Sequence, residues 1–590
     1  MTNNINVILI LITALGLNQA MLGQNIFLRY NQLGYHPEEI PSMLILSDAP
    51  LSGSLVLRND TGKEIDLAIE TVSEGKWGGL PHQYLIQLPD NPDPGTYSVI
   101  SGGKDLASIK IGKDIYSPYR EDLLSFMRQQ RCGYNPYFED ICHQGDGRIF
   151  YAPVPDSTYY DFTGGWHDAG DQLKYLITGS NATARMLMAY EANKSKFADQ
   201  VDELGHSVPN GLPDILDEAK WGLDWILKLH PRKDWLIHQI ADDRDHRGFK
   251  IPARDNAEYG WGPNSYRAAY FANGKPQGLG NWKSEATGIA NLAGRCAAAL
   301  AKASMIWKKK NLDLAFAEHC AEAAREIYAM GKMQEGFQQG NSFGAPYRYN
   351  EDSWADDMEW GAAELYKLTG QEEYLKDAIH YANQIRDEVW MALDTMNHYQ
   401  KYPFMNMGHY ALYEVAPDSI QKKLAGWYKQ NIERIAARAA SNAYDIGITF
   451  LWCSNNLLVN FITQVILYEE MTGDLQFHNL MLKHRDWLFG RNPWGTSMFT
   501  GIPVEGEYPE DVHLAPTALL NDTPAGGLID GPIYVSTFNN LLGLTLTEAD
   551  EFEIFQNEYV IYHDDIGDYS TNEPTMDGTA DAILMWALLE

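Results

Sequence analysis

The sequence predicts a mainly helical protein preceded by a small β-sandwich. From Ile26 to Lys113 the chain alternates short β-rich runs with Gly, Pro, Asn and Asp, the pattern of antiparallel strands joined by tight turns. From about Ser117 onward apolar residues recur at helical spacing. A third observation pairs the helices. Glu364 onward reads ELYKLTGQEEYLKDA and Ile466 onward reads ILYEEMTGDLQFHNL, each a helix end, a Thr-Gly break and a new helix. Such hairpins cannot bury their apolar faces alone, so a succession of them implies a bundle, toroid or solenoid.

Residues 1–23 come first. Val7–Leu17 reads VILILITALGL, too short for a typical membrane span, with small residues following at Ala20 and Gly23. This resembles a secretory signal peptide and implies an exported protein, periplasmic or extracellular. Residues 24–115 hold the strand-like runs FLRYNQLGY, SMLILSD, GSLVLRND, HQYLIQLP and GTYSVISGG, and no catalytic cluster. Residues 116–590 form the helical domain. Pro213–His230 places Ile215, Leu216, Ala219, Leu223, Ile226 and Leu227 on one stripe, with Pro213 suited to the first turn. Glu285–Trp307 repeats the pattern, and Asp313–Met330 runs to Gly331, which reads as a C′ glycine. Between helices lie aromatic-rich loops, Glu258–Tyr270 and Tyr347–Trp360, where function tends to sit.

Charge narrows the ligand. With 46 basic and 79 acidic residues the chain carries a formal charge of −33, which disfavours nucleic acid and anionic membrane surfaces. A neutral ligand remains, and 16 Trp and 34 Tyr offer surface for stacking on sugars. No later stretch reads as a membrane span, and oligomeric state is not written in the sequence.

Three loops carry chemistry. In Gly164–Asp171, GGWHDAGD, Asp168 and Asp171 stand three apart. On a helical turn they would share a face and perturb each other's pKa; capping of a helix N-terminus accounts for them as simply. In Asp568–Ile583, DYSTNEPTMDGTADAI, Glu573 precedes Pro574 and a last helix, with Tyr569 nearby, and capping again competes. In Leu488–Pro503, LFGRNPWGTSMFTGIP, a helix ends at Phe489 and the following chain delivers His513. Separately, Cys132, Cys142, His143 and His167 make a Cys₂His₂ set for tetrahedral zinc, against which stands a Cys132–Cys142 disulfide favoured by export. Cys296 and Cys320 sit on apolar helical faces as buried thiols.

GGWHDAGD, LFGRNPWGTSMFTG and DYSTNE stand in the order and at the distances that resemble glycoside hydrolase family 9, rich in inverting endo-β-1,4-glucanases. The region beginning RYNQLGYHP resembles the immunoglobulin-like domain of one branch. The resemblance implies an (α/α)6 barrel, Asp171 as general base, Asp168 as its helper in holding water, and Glu573 as general acid. It implies a neutral β-glucan as substrate, contacted by His513 and Tyr569, with Trp261 and Trp354 as further stacking surfaces. It favours zinc over a disulfide, in a structural role. It also implies calcium at an acidic loop containing Ser353, Asp356 and Asp357, which read alone is a solvated helix start. One departure bears on substrate: where the family carries Pro-His-His-Arg, this chain has His513 followed by Leu514 and Ala515. Two alternatives therefore stand beside the endoglucanase: an exo-acting β-glucosidase or glucosaminidase, and a carbohydrate-binding protein with little catalysis.

Overall fold

The computed structural model describes residues 24–589 apart from Ser52, Ser73, Glu74, Asp90, Asn91, Pro263, Asn264 and Ser265. The apolar run Val7–Leu17 lies outside the described residues. Among the described residues no helix is long and apolar enough to cross a membrane.

Eight strands open the fold: β1 (Ile26–Arg29), β2 (Ser42–Ser47), β3 (Leu55–Asn59), β4 (Glu64–Asp66), β5 (Ile69–Thr71), β6 (His82–Gln87), β7 (Gly95–Ser101) and β8 (Lys104–Ile111). They make two antiparallel sheets, ordered β1-β2-β6-β5 and β4-β3-β7-β8. Leu28, Ile45, Leu57, Ile86, Val99 and Ile109 form the core of this unit. The unbroken apolar run of β2 has a reason in the alternation of a strand. Met43 and Ile45 enter the β-domain core, while Leu44 and Leu46 join the core of the helical part.

The seam between the two parts is polar as well as apolar. The Arg29 Nε donates to the Pro493 carbonyl at 2.8 Å, and the Asn31 side-chain amide donates to Asp486 at 2.9 Å. Arg485 grips both carboxylate oxygens of Glu39 at 2.6 and 2.8 Å. Arg491 Nε donates to the Ser42 carbonyl at 2.9 Å. The Leu488–Pro503 motif therefore serves the seam; of the third chemistry-bearing region only His513, farther along, reaches the pocket described below.

The helices are α1 (Arg120–Gln129), α2 (Leu176–Ala192), α3 (Asp214–Leu229), α4 (Ala290–Lys310), α5 (Leu314–Met333), α6 (Ala355–Thr369), α7 (Glu372–Ile385), α8 (Met407–Tyr413), α9 (Asp418–Ala439), α10 (Ser454–Thr472), α11 (His478–Leu488), α12 (Ala515–Leu520), α13 (Val535–Phe538) and α14 (Met576–Leu589). In succession α2 packs on α4, α4 on α6, α6 on α8, α8 on α10 and α10 on α14, and α14 touches α2. Each of these six carries a partner: α3, α5, α7, α9, α11 and α1 respectively. Burial follows position. Every residue from Leu176 to Tyr190 of α2 is buried. By contrast α7 buries one stripe, Tyr374, Ala378, Tyr381, Ala382 and Ile385, as an amphipathic outer helix should.

Local expectations fare unevenly. Both Thr-Gly breaks end helices as read, with Gly370 and Gly473 left-handed at φ 68° and 70°. Pro213 sits one residue before α3 rather than within its first turn. Asp313 caps α5, accepting the Phe316 N–H at 2.9 Å. Gly331 is no C′ glycine: it lies inside α5, where a Cβ would stand 2.6 Å from the Ala293 Cβ and 2.9 Å from the Met358 Sδ. It permits close packing of α5 on α4 and α6.

Candidate functional site

The loops that lead into α2, α6, α8, α10 and α14 converge on one pocket of about 370 Å³. They deliver Asp168 and Asp171, Tyr349, His398, Trp452, and Glu573 respectively; His246, His513, Asp530 and Tyr569 complete it. Functional side chains thus ride on loops at the ends of a rigid helical frame.

Gly164–Asp171 is an irregular loop, so Asp168 and Asp171 neither share a helical turn nor cap α2, whose N-cap is Tyr175. Asp168 accepts hydrogen bonds from the Tyr349 hydroxyl and, at 2.9 Å, from the Thr178 hydroxyl of the first turn of α2. Burial, then the nearby Asp171 and Asp577 carboxyls, raise its pKa well above the usual carboxylate range. Asp171 goes the other way. Burial opposes its ionised form, but His246 at 3.0 Å and the Leu173 N–H at 2.7 Å hold its pKa below the ordinary value. Correspondingly, burial lowers the pKa of His246 but Asp171 outweighs it and the net shift is upward.

Glu573 faces this loop. Its Oε1 accepts the Gly170 N–H at 2.9 Å. Burial, followed by the Asp530 and Asp171 carboxyls, pushes its pKa well above the usual carboxylate range. Asp530 binds to the same segment, its N–H donating to the Glu573 carbonyl at 2.9 Å, and its own carboxyl accepts the Trp452 indole N–H at 2.8 Å. Two carboxyl groups whose surroundings push their pKa values in opposite directions therefore line one pocket. Gly170 makes the arrangement sterically possible: a Cβ there would lie 2.2 Å from the His513 carbonyl oxygen and 2.7 Å from Glu573 Oε1. Gly170→Ala is expected to displace Glu573 and cut kcat/KM by roughly 10²-fold, the order that a 1 Å misplacement costs. Steady-state kinetics beside a lowered melting temperature would check this.

His513 donates from Nδ1 to the Ile566 carbonyl at 2.7 Å, which leaves Nε2 as an acceptor, and burial keeps the ring neutral by lowering its pKa. Its ring packs against Phe249 at 4.6 Å and Tyr569 at 6.0 Å. The Tyr569 and Tyr347 hydroxyls both bond to the Leu542 carbonyl, at 2.7 and 3.3 Å. Two sequence-named aromatics are elsewhere. Trp261 stacks beside Tyr259 at 6.4 Å, and Trp354, the residue before α6, packs edge-on against Tyr381 at 5.9 Å. Neither lines the pocket; Trp452 does, stacked flat on His398 with centroids 4.3 Å apart and planes 9° apart. Sequence reasoning missed Trp452, His246 and Asp530. The runs LWCSN, DDRDHRG and GGLIDGP hold no period or spacing that marks them.

Among the described residues one cluster of His, Cys, Asp or Glu has metal-ligand geometry: Cys132, Cys142, His143 and His167, all buried. The cysteines are free thiols, with their sulfurs 4.0 Å apart, so the disulfide reading fails. Cys132 Sγ lies 3.6 Å from His143 Nδ1, Cys142 Sγ 3.8 Å from His167 Nε2, and the two imidazole nitrogens 3.2 Å apart. A tetrahedron with zinc bonds of normal length has edges of about 3.8 Å for S–S, 3.6 Å for S–N and 3.3 Å for N–N. The donors fit. His143 Nε2, on the far side of its ring, meets Asp255 at 3.0 Å, the carboxylate partner that orients a ligating imidazole.

The sequence-named calcium ligands do not assemble into such a cluster. Arg295 places its guanidinium against Asp357 at 2.8 Å and Glu351 at 2.6 Å. Ser353 and Asp356 lie beside this ion pair in sequence, and the Asp356 Oδ1 is buried without a hydrogen-bond partner among the described residues.

The family model for glycosyl hydrolase family 9 matches residues 116–588. Endoglucanase D of Acetivibrio thermocellus is 26% identical over 448 residues, covering 71% of this chain; the chain spans 65% of that relative's length. A metagenome-derived family 9 endoglucanase of known structure aligns with a TM-score of 0.75 at 23% identity, over 96% of this chain and 99% of its own. A zinc-binding triple mutant of the family 9 endoglucanase J30 aligns at 0.72 and 22% identity, over 94% and 99%.

Proposed function

Because the chain belongs to glycosyl hydrolase family 9, we propose that it is an inverting endo-β-1,4-glucanase, with Asp171 as general base and Glu573 as general acid. The observation that carries the reading is the placement of these two carboxyls in one pocket, Asp171 against His246 at 3.0 Å and Glu573 buried on the Gly170 N–H at 2.9 Å. Glycoside inversion needs one carboxylic acid to protonate the leaving oxygen and one carboxylate to take a proton from water on the other face of the sugar. The raised pKa keeps the proton on Glu573. The His246 contact keeps Asp171 ionised. Asp168, held by Tyr349 and Thr178, helps to orient the water beside Asp171. His513 Nε2 accepts a sugar hydroxyl, and Trp452 and Tyr569 offer the stacking faces that Trp261 and Trp354 do not.

The succession of inner helices with their outer partners supports the (α/α)6 barrel, and the two packed sheets support an immunoglobulin-like domain over residues 24–115, ahead of the hydrolase domain over 116–590. The Cys₂His₂ cluster would hold a structural zinc. Four protein ligands leave no open position, and His167 adjoins Asp168, so its task is to fix the loop that carries the base. The apolar Val7–Leu17 run supports export.

The test is product analysis on mixed-linkage β-glucan and carboxymethylcellulose. An early fall in viscosity, with the α-anomer appearing first by NMR, is the expected result. Monosaccharide release without loss of viscosity would favour the exo-acting reading, for which one feature speaks: Leu542, pinned by Tyr347 and Tyr569, borders the pocket. No turnover of any β-glucan would leave the carbohydrate-binding reading.

The activity should follow a bell-shaped pH profile, its acidic limb set by Asp171 and its alkaline limb by Glu573. Burial raises the Asp530 pKa well above the usual carboxylate range as well, so the two carboxyls hinder each other's ionisation, and an amide in place of Asp530 makes Glu573 easier to deprotonate. Asp530→Asn is therefore expected to move the alkaline limb of kcat/KM to lower pH and leave the acidic limb in place. An unmoved alkaline limb would deny Asp530 this role.

A further inference from the structure

The charges that line the reaction pocket do not all cancel. Asp171 faces His246 at 3.0 Å, and Asp245 is shared by Lys250 and Arg267 at 3.3 Å each. Burial raises the carboxyl pKa values of Asp168, Asp530 and Glu573, which favours their neutral forms, and it lowers those of the His398 and His513 rings, with the same result. One charged side chain of the lining is left, Arg348. Among the described residues its guanidinium Nε is buried without a hydrogen-bond partner, and no carboxylate stands within ion-pair distance of it. Burial lowers its pKa, and the exposed Glu285, acting from farther away, does not make that good. In Arg267 and Arg295 burial pulls the same way, but the carboxylates they hold outweigh it and the net shift is upward.

The backbone that carries Arg348 is fixed on both sides. Tyr347 donates to the Leu542 carbonyl at 3.3 Å, and Tyr349 donates to Asp168. The Arg348 carbonyl itself accepts the Asn350 side-chain amide at 3.0 Å. The loop thus presents a cation to the pocket one residue away from the tyrosine that holds Asp168. A buried guanidinium donor with nothing to donate to is costly to keep unless a ligand completes it. Its planar fork matches the two oxygens of a carboxylate. A phosphate monoester would bring close to two charges against one cation, beside the ionised Asp171. A neutral hydroxyl would take the hydrogen bond and leave the charge unmatched. The formal charge of −33 sets a limit from the other side, since it repels a polymer that is acidic at every unit.

We propose that Arg348 binds a carboxylate carried by the glucan, close to the bond being cleaved, so that the preferred substrate is a β-glucan with occasional acidic units rather than a wholly neutral one. The inference rests on the glucanase reading above and narrows its substrate. Two sources present the same group: a glucosyl unit of the backbone oxidised at C6 to glucuronate, and a carboxyl-bearing substituent on a sugar hydroxyl.

The test uses the full-length protein with cellotetraose, the same sugar carrying one glucuronosyl unit, and cellotetraose carrying one carboxymethyl group. The unaltered protein is expected to show a higher kcat/KM for at least one acidic sugar than for the neutral one. Arg348→Gln should lower kcat/KM for that acidic sugar by roughly ten- to hundredfold more than for cellotetraose, the scale of a charge-assisted hydrogen bond, and Arg348→Lys should restore part of the difference. Calorimetric titration in a Glu573→Gln background supplies a readout independent of turnover. There the acidic sugar should bind more tightly than the neutral one, an advantage that added salt weakens and that a further Arg348→Gln change removes. Which acidic sugar carries the preference separates a backbone uronate from a substituent. No preference for either acidic sugar in the unaltered protein, or equal losses on acidic and neutral sugars in Arg348→Gln, would overturn the proposal. Arg348-dependent binding of an acidic sugar without hydrolysis of any β-glucan would sink the glucanase reading and leave this inference standing.

Discussion

Replacing Glu573 by glutamine is expected to lower kcat by about 10²–10⁴-fold, the usual worth of a positioned general acid, while KM changes little. Glutamine keeps the shape of the side chain and can still accept the Gly170 N–H, so the fold around it should stand. What disappears is the proton. The leaving alkoxide of a glucan is a poor leaving group, and nothing else in the pocket replaces the acid. The Asp168 carboxyl is raised, but its oxygens are committed to Tyr349 and Thr178. His513, kept neutral, uses its Nδ1 proton on Ile566. A substrate with an activated leaving group, such as an aryl cellobioside, needs less protonation and should recover most of the lost rate. A variant that kept its activity on glucan, or that gained nothing with the aryl substrate, would remove Glu573 from the acid role.

Loss of the metal cluster is the second large effect. The purified protein is expected to carry about one zinc per chain by elemental analysis, and Cys142→Ser to carry almost none. The cluster ties three separate stretches together. Cys132 follows α1, Cys142 and His143 sit in the next loop, and His167 lies in the loop of the base, whose Gly165 carbonyl also accepts the Cys132 N–H at 2.9 Å. Without zinc, two thiols and two imidazoles are left buried and poorly paired, and His167 no longer anchors Asp168. The melting temperature should fall, and kcat/KM should drop by about 10–100-fold, as when the support of a metal-held loop is removed. Full zinc content in Cys142→Ser, or unaltered kinetics in a zinc-free variant, would contradict this account.

Part of the site was legible before the fold was known, through the resemblance that its motifs carry and not through spacing, which capping explains as well. Asp168, Asp171 and Glu573 announce themselves through GGWHDAGD and DYSTNE, and all three line one pocket. The zinc donors could be enumerated but not decided, since two cysteines ten residues apart suit a disulfide as well; their 4.0 Å separation with two imidazoles at hand fits a metal site. The stacking surface was not legible. A tryptophan in a loop looks alike whether it faces a cleft or a neighbouring tyrosine, and only the loop's path separates Trp452 from Trp261 and Trp354. Asp530 and His246 were hidden for a related reason. Each matters through one long-range partner, Glu573 or Asp171, that local sequence does not reveal. The pairing of Asp357 was not legible either, because Arg295 belongs to α4, far away in the chain.

The seam between the β-domain and the helical part sets the order in which the molecule can be completed. Arg29 meets Pro493 across 464 residues, Asn31 meets Asp486 across 455, and Arg491 meets Ser42 across 449. The β-domain leaves the ribosome first, with Leu44 and Leu46 on a face that belongs against chain not yet made. Until residues near 490 arrive, that face is open, and the contacts that close it are among the costliest in loop entropy. Trimming the chain at residue 115 would strip Arg485 of Glu39, Asp486 of Asn31 and Arg491 of Ser42, leaving Arg485 and Asp486 with each other and Arg491 with the Tyr444 carbonyl.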